Sequence, residues 1–187
     1  MQAKHGKDIN SRVHTAKKRV KQLISIYSTS EETTKRLGYC LGAALRAGDV
    51  VLLEGEMGAG KSVLTRAAAR GMGVEGPVPS PTFTILNIHE GRALKLYHFD
   101  LYRLEGEDAL YEMGLVEFIP AEDGASLIEW PQMAAEAMPH DALHIEILYA
   151  QDGMAREIRL CPSGAFDESR ILEIVNMMED RHEYPDD

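Results

Sequence analysis

No run of apolar residues in this sequence approaches the roughly 20 needed to cross a bilayer, so no membrane-spanning helix is expected. Cysteine is scarce. Cys40 and Cys161 are the only two, and they form neither a Cys-x-x-Cys pair nor a zinc-type spacing, which argues against a disulfide scaffold and a zinc module. Both thiols are expected in or near the core. The chain also opens without a basic segment leading into an apolar one, the mark of a secretory leader. These absences together point to a reducing compartment, the cytoplasm. Positive charge is short as well: 20 Lys and Arg stand against 30 Asp and Glu, a formal net charge of −10. It is unevenly spread. Residues 1–21 carry seven basic residues against the single acid Asp8, a net +6, so the remainder carries −16. An acidic body repels a nucleic-acid backbone, which argues against direct RNA binding by the domain, whereas the basic arm could touch RNA or an acidic partner.

What is present fits one soluble domain with tails. The 187 residues are 44% hydrophobic and 27% charged. The expected division is a basic, flexible N-terminal extension over 1–22, a domain over 23–178 and an acidic tail over 179–187. A transit peptide is disfavoured for the arm because it holds many lysines and few serines. Within the domain, Ser30 reads as the N-cap of a helix with Glu31 and Glu32 in its first turn, ending by Gly48. The short apolar run at 50–55 reads as a strand covered on both faces. An alanine-rich helix should follow from Lys61 to Gly71 or Gly73. Further on come a β-type segment over Thr82–Ile88, a strand ending near Asp100, a helix over 106–118 and a buried strand over 126–130. A hairpin turning around Asp152 and Gly153 and a last helix from Asp167 to about Met178 complete the domain.

Between the first strand and its helix lies GEMGAGKS, with Gly55, Gly58, Gly60, Lys61 and Ser62 in the full P-loop spacing. Glycines let the backbone wrap a phosphate closely and turn its N–H groups inward. The helix beginning at Lys61 adds the positive end of its dipole. Lys61 would bridge the β- and γ-phosphates, and the Ser62 hydroxyl would face Mg²⁺. Magnesium bound this way also needs a carboxylate from a neighbouring strand end. Asp100, closing LYHFD, and Glu129, closing LIE, are the candidates; as bland readings, Asp100 could cap a turn and Glu129 could be a solvated strand end. In Ser80-Pro81-Thr82, Thr82 could orient water or reach the metal, or merely cap a proline turn. No Asn/Thr-Lys-x-Asp guanine signature follows, which favours adenine. The 106–140 region has no arginine-rich lid, with only Arg103 at its edge, which favours hydrolysis over transfer to a small acceptor.

GEMGAGKS, SPTF, LYHFDLYRL and LIEWP, in this order and spacing, resemble the TsaE (YjeE) family of small bacterial P-loop ATPases, over about Ile26 to Leu160. The resemblance implies a three-layer α/β/α sandwich with a mainly parallel central sheet and a C-terminal hairpin and helix. It implies ATP with Mg²⁺ and a weak ATPase that depends on the TsaB–TsaD heterodimer. TsaD in that system places threonylcarbamoyl on an adenosine of tRNA, which the TsaE protein would meet only through the complex. By the same resemblance the nucleotide-binding positions are Gly55, Glu56, Gly58, Ala59, Gly60, Lys61, Ser62 and Val63. Ser62, Asp100 and Glu129 would serve the metal, with the directly bound acid left open, and Thr82 would be switch-like. Trp130 matches a family tryptophan that could also be plain packing. Glu31 and Arg156 match positions near the nucleotide. Ser62 departs from the threonine frequent in the family but keeps the hydroxyl. Two other readings share the loop: a small-molecule kinase, and a binding module that ATP orders without being hydrolysed.

Overall fold

The computed structural model describes residues 23–150, 153–164 and 166–180; the basic arm and most of the acidic tail lie outside these. The strands are β1 (Ile24–Ser28), β2 (Val50–Gly55), β3 (Leu86–Glu90), β4 (Lys95–Asp100), β5 (Gly124–Glu129), β6 (Leu143–Tyr149) and β7 (Arg156–Cys161). The helices are α1 (Glu31–Ala44), α2 (Lys61–Gly71), α3 (Glu107–Glu112) and α4 (Glu168–Glu179), with 3-10 turns at Leu115–Phe118 and Pro131–Ala137. The seven strands form one sheet in the order β1-β7-β6-β2-β5-β4-β3. Its four middle strands, β6, β2, β5 and β4, run parallel, and antiparallel strands complete both edges.

Side-chain alternation explains the layers. Along β2, Val51 and Leu53 join a core under α1, α2 and α4, built with Leu37, Leu64, Ile145 and Ile171. Val50 and Leu52 point the other way, into a second core with Phe99, Leu110 and Ile128 under α3 and the 3-10 turns. A strand buried on both faces must read as an unbroken apolar run, as VVLL does. The result is the expected α/β/α sandwich. The second layer does not extend over β1, where Tyr27 is exposed.

α1 begins where Ser30 Oγ accepts the Thr33 N–H at 3.3 Å. It stops at Ala44, a turn before Gly48, because Leu45 is already extended and Gly48 (φ +85°) serves the loop into β2. Glycines bring α1 and α2 into backbone contact: a Cβ on Gly42 would fall on the Ala68 carbonyl, and one on Gly71 on the Tyr39 carbonyl. Two expectations need correction, and one strand is additional to them. The additional strand is β1, which turns two apolar side chains, Ile24 and Ile26, and buried Ser28 inward and pairs with the remote β7. Strand structure after Thr82 starts only at Leu86, because Pro81 O accepts the N–H groups of Thr84 and Ile85 and forms a turn instead. The single helix over 106–118 is two pieces, broken at left-handed Gly114. The last helix runs one residue beyond Met178.

Candidate functional site

The carboxyl ends of β2, β4 and β5 meet at the loop that joins β2 to α2. Gly55, Gly58 and Gly60 have φ of +147°, +78° and +121°, which only glycine adopts readily. At Gly55 a Cβ would also stand 2.6 Å from the Ile147 carbonyl oxygen. Gly60 is the N-cap of α2 and offers no side-chain cap, so the first amides of the helix face the loop without a side-chain acceptor. Uncapped amides in a glycine loop form an anion site.

Lys61 is 5% exposed. Its ammonium donates to the carbonyls of Gly55 (2.7 Å) and Glu56 (2.9 Å) and lies 3.8 Å from the centre of the Trp130 ring. Burial holds its pKa below the ordinary lysine value, and the Glu129 and Asp100 carboxylates pull it part of the way back. The ammonium is therefore under-solvated, with its charge partly offset by the two acids.

Asp100 and Glu129 are directly opposite each other in the parallel β4–β5 pairing, both almost fully buried. Glu129 Oε2 accepts from Ser62 Oγ at 3.0 Å, while Oε1 contacts His98 Nε2 at 3.0 Å and shares the single Thr65 hydroxyl proton (3.2 Å) with the Lys61 carbonyl (3.1 Å). Asp100 Oδ2 accepts from Ser80 Oγ (2.8 Å) and Thr82 Oγ1 (2.6 Å), while Oδ1 accepts the Tyr102 N–H at 3.1 Å. Glu129 is not a solvated strand end, and Asp100 does cap the turn after β4, through the Tyr102 N–H, while also holding Ser80 and Thr82. Two non-glycine residues flank the pair at positive φ: Trp130 (φ +61°), directly after Glu129, and Ile85 (φ +66°), whose carbonyl accepts the Asp100 N–H. Such conformations cost on the order of 1–3 kcal/mol each and persist only where the surroundings enforce them.

Two adjoining clefts share this loop. One, of about 390 Å³, is lined by Gly58, Gly60, Lys61, Ser62, Val63, Thr82, Asp100, Glu129 and Trp130. The other, of about 150 Å³, joins Gly58, Ala59, Gly60 and Val63 to Glu31 and Arg156. Arg156 also braces the loop, its Nε donating to the Ala59 carbonyl at 3.2 Å. Two expected residues stand apart: Gly55 contributes its carbonyl from beneath, and Glu56 lines a different cavity with Tyr27 and Tyr149 while its carbonyl serves Lys61. Thr65, His98 and Ser80 were not singled out from sequence. A signal existed for two of them: Thr65 lies one helical turn past Ser62, and His98 lies two residues before Asp100 on the same strand face.

Among the described residues, no group of three or more His, Cys, Asp or Glu side chains is assembled for a metal. One hydroxyl and one carboxylate beside an anion cradle suit an ion that keeps most of its shell as water and phosphate oxygen. Magnesium has that habit, so the donor set fits it.

The model of the family described as "Threonylcarbamoyl adenosine biosynthesis protein TsaE" matches residues 28–158. The chain belongs to the TsaE family. TsaE of Bacillus subtilis is 38% identical over 137 residues, 73% of this chain and 84% of that protein. TsaE of Streptomyces coelicolor is 41% identical over 128 residues, 67% and 85% respectively. Both relatives carry the description "tRNA threonylcarbamoyladenosine biosynthesis protein TsaE". The crystal structure of Bacillus subtilis YdiB superposes with a TM-score of 0.71 at 32% identity, covering 83% of this chain and 95% of that one. This TsaE family member thus shares its fold as well as its sequence with known proteins. Among its described residues no helix is long and apolar enough to cross a membrane.

Proposed function

We propose that this TsaE family member is the ATP-binding and ATP-hydrolysing subunit of the cytoplasmic machinery that makes tRNA threonylcarbamoyladenosine, acting with the TsaB–TsaD heterodimer and reaching tRNA only through it. The observation that carries the proposal is the convergence of an uncapped helix start, Lys61, Ser62 and two opposed buried carboxylates at one edge of the sheet. Amides of Gly58–Ser62 take the phosphates, and Lys61 exchanges the carbonyls of Gly55 and Glu56 for phosphate oxygens. The nucleoside lies toward the smaller cleft, between Glu31 and Arg156.

Ser62 and Glu129, already 3.0 Å apart, would hold magnesium with the phosphates. Bound there, magnesium supplies positive charge that offsets the charge developing on the transferring phosphoryl oxygens. Asp100 fixes the Ser80–Thr82 turn through two hydroxyl bonds, keeping Thr82 over the same cleft as Lys61, where it can orient an attacking water. No arginine-rich lid over 106–140 accompanies the site, which supports hydrolysis over transfer to a small acceptor. The test is phosphate release from ATP by the purified chain, alone and with TsaB and TsaD. Association with the pair and faster release are expected. Absence of both, or label from the γ-phosphate appearing on a metabolite, contradicts the proposal.

A further inference from the structure

His98 is buried (1% exposed) inside an otherwise apolar stretch of β4, and the function proposed above gives it no task. It shares its strand face with Asp100. Its Nε2 lies 3.0 Å from Glu129 Oε1, the oxygen that also accepts from Thr65. The carboxylate is thereby divided: Oε1 is held from behind by His98 and, through a proton shared with the Lys61 carbonyl, by Thr65, and Oε2 is left pointing at Ser62. We propose that His98, together with Thr65, is a positioning residue that aims Glu129 at the ion site without itself reaching ion or nucleotide. This rests on the ATP and magnesium reading of the site.

Chemistry fixes the form of the contact. An ionised carboxylate only accepts, so the His98–Glu129 bond requires the proton on Nε2. Nδ1 is buried with no hydrogen-bond partner, which disfavours a proton there because a buried N–H would go unpaired. The opposite tautomer would set a ring lone pair against a carboxylate lone pair. Without the Nε2 donor, Oε1 keeps only Thr65, and the terminal carboxylate torsion is broad. Groups that orient a metal-binding side chain typically change metal affinity or activity about 10- to 100-fold. A histidine present only to fill space would be replaceable by an apolar side chain of similar size; a donor would not.

Two measurements decide the matter. Nitrogen-15 NMR of the protein without nucleotide should show His98 as the Nε2–H tautomer; an Nδ1–H tautomer overturns the proposal. The second uses Trp130, the single tryptophan, which lies 3.8 Å from Lys61 Nζ, as a fluorescence reporter of Mg²⁺ titrated against a non-hydrolysable ATP analogue. In His98→Met the half-saturating Mg²⁺ concentration should rise about 10- to 100-fold, whereas His98→Gln, which keeps a donor near the Nε2 position, should stay within about threefold of the parent. Thr65→Val, removing the other donor, should shift it in the same direction as His98→Met. Analogue affinity in EDTA should be unchanged in all three, with folding followed by thermal melting. Parent-like Mg²⁺ dependence in folded His98→Met, or in Thr65→Val should His98→Met not fold, overturns the proposal, as does a His98→Gln as impaired as His98→Met. If the parent protein binds the analogue with no dependence on Mg²⁺, the magnesium reading fails, and the tautomer still reports whether His98 holds Glu129.

Discussion

Replacing Lys61 with alanine separates binding from folding. In the free protein the ammonium gives two hydrogen bonds to the carbonyls of Gly55 and Glu56 and a stacking contact with Trp130. Those gains are opposed by its burial, the leading cause of its lowered pKa. Removing the side chain therefore gives up favourable contacts and a desolvation cost together, and the net effect on stability should stay within about 1 kcal/mol, or about 2–4 °C in Tm for a domain of this size. With a triphosphate present the balance differs. A hydrogen bond to a charged group contributes about 1.5–3 kcal/mol, and the ammonium can reach oxygens of two phosphates, less what it surrenders at the two carbonyls. A net loss of about 2–4 kcal/mol raises the ATP dissociation constant about 30- to 1,000-fold. Isothermal titration calorimetry with Mg·ATP, beside a thermal melt of each protein, measures both quantities. A folded Lys61→Ala protein with unchanged affinity would refute the phosphate role of this loop.

Three further outcomes concern the scaffold. Gly42→Ala drives a methyl into the Ala68 carbonyl at the α1–α2 contact and should cost about 1–3 kcal/mol, read as a lowered urea midpoint at unchanged m. Arg170 donates to both oxygens of Asp49 (2.8 and 2.6 Å), each residue under 10% exposed. Arg170→Met leaves that acid buried with only the Arg46 N–H and no counter-charge, and should cost about 3–5 kcal/mol in urea unfolding, part of it regained with Asp49→Asn. His89 is held below the usual histidine pKa chiefly by burial, so unfolding takes up a proton at acid pH. Its contribution to stability is complete above about pH 6.5 and falls as pH drops from there toward the folded pKa. Melting between pH 7.5 and 5.5 should show a smaller decline in His89→Gln than in the parent; equal declines would contradict the assignment.

The parts of the site legible in sequence were those whose chemistry is local. The glycine loop is a contiguous string with its strand before and its helix after. Asp100 and Glu129 stood out because an acid ending an apolar run is rarely there for packing, and both came to rest opposite one another in adjacent strands. Harder to see were residues whose partners are remote. His98 reads as one polar interruption in a strand until β5 places Glu129 against it, 31 positions away. Ser80 reads as part of a proline turn until its hydroxyl meets Asp100. β1 escaped because its pairing with β7 joins residues remote in sequence, Ile24 with Leu160 and Ser28 with Arg156, and a five-residue edge strand holds too few inward side chains to show a period. The helix expected over 106–118 failed for a different reason: its apolar pattern continues past Gly114, but the left-handed backbone there does not.

The central claim is that this loop and these two acids hold magnesium and the phosphates of ATP. A crystal structure of the protein with magnesium and a non-hydrolysable ATP analogue tests it most directly. The account predicts phosphate oxygens against the amides of Gly58–Ser62 and the Lys61 ammonium, with the ion held by Ser62 and Glu129, and Asp100 alongside. An analogue bound elsewhere, or an ion far from all three side chains, would contradict it.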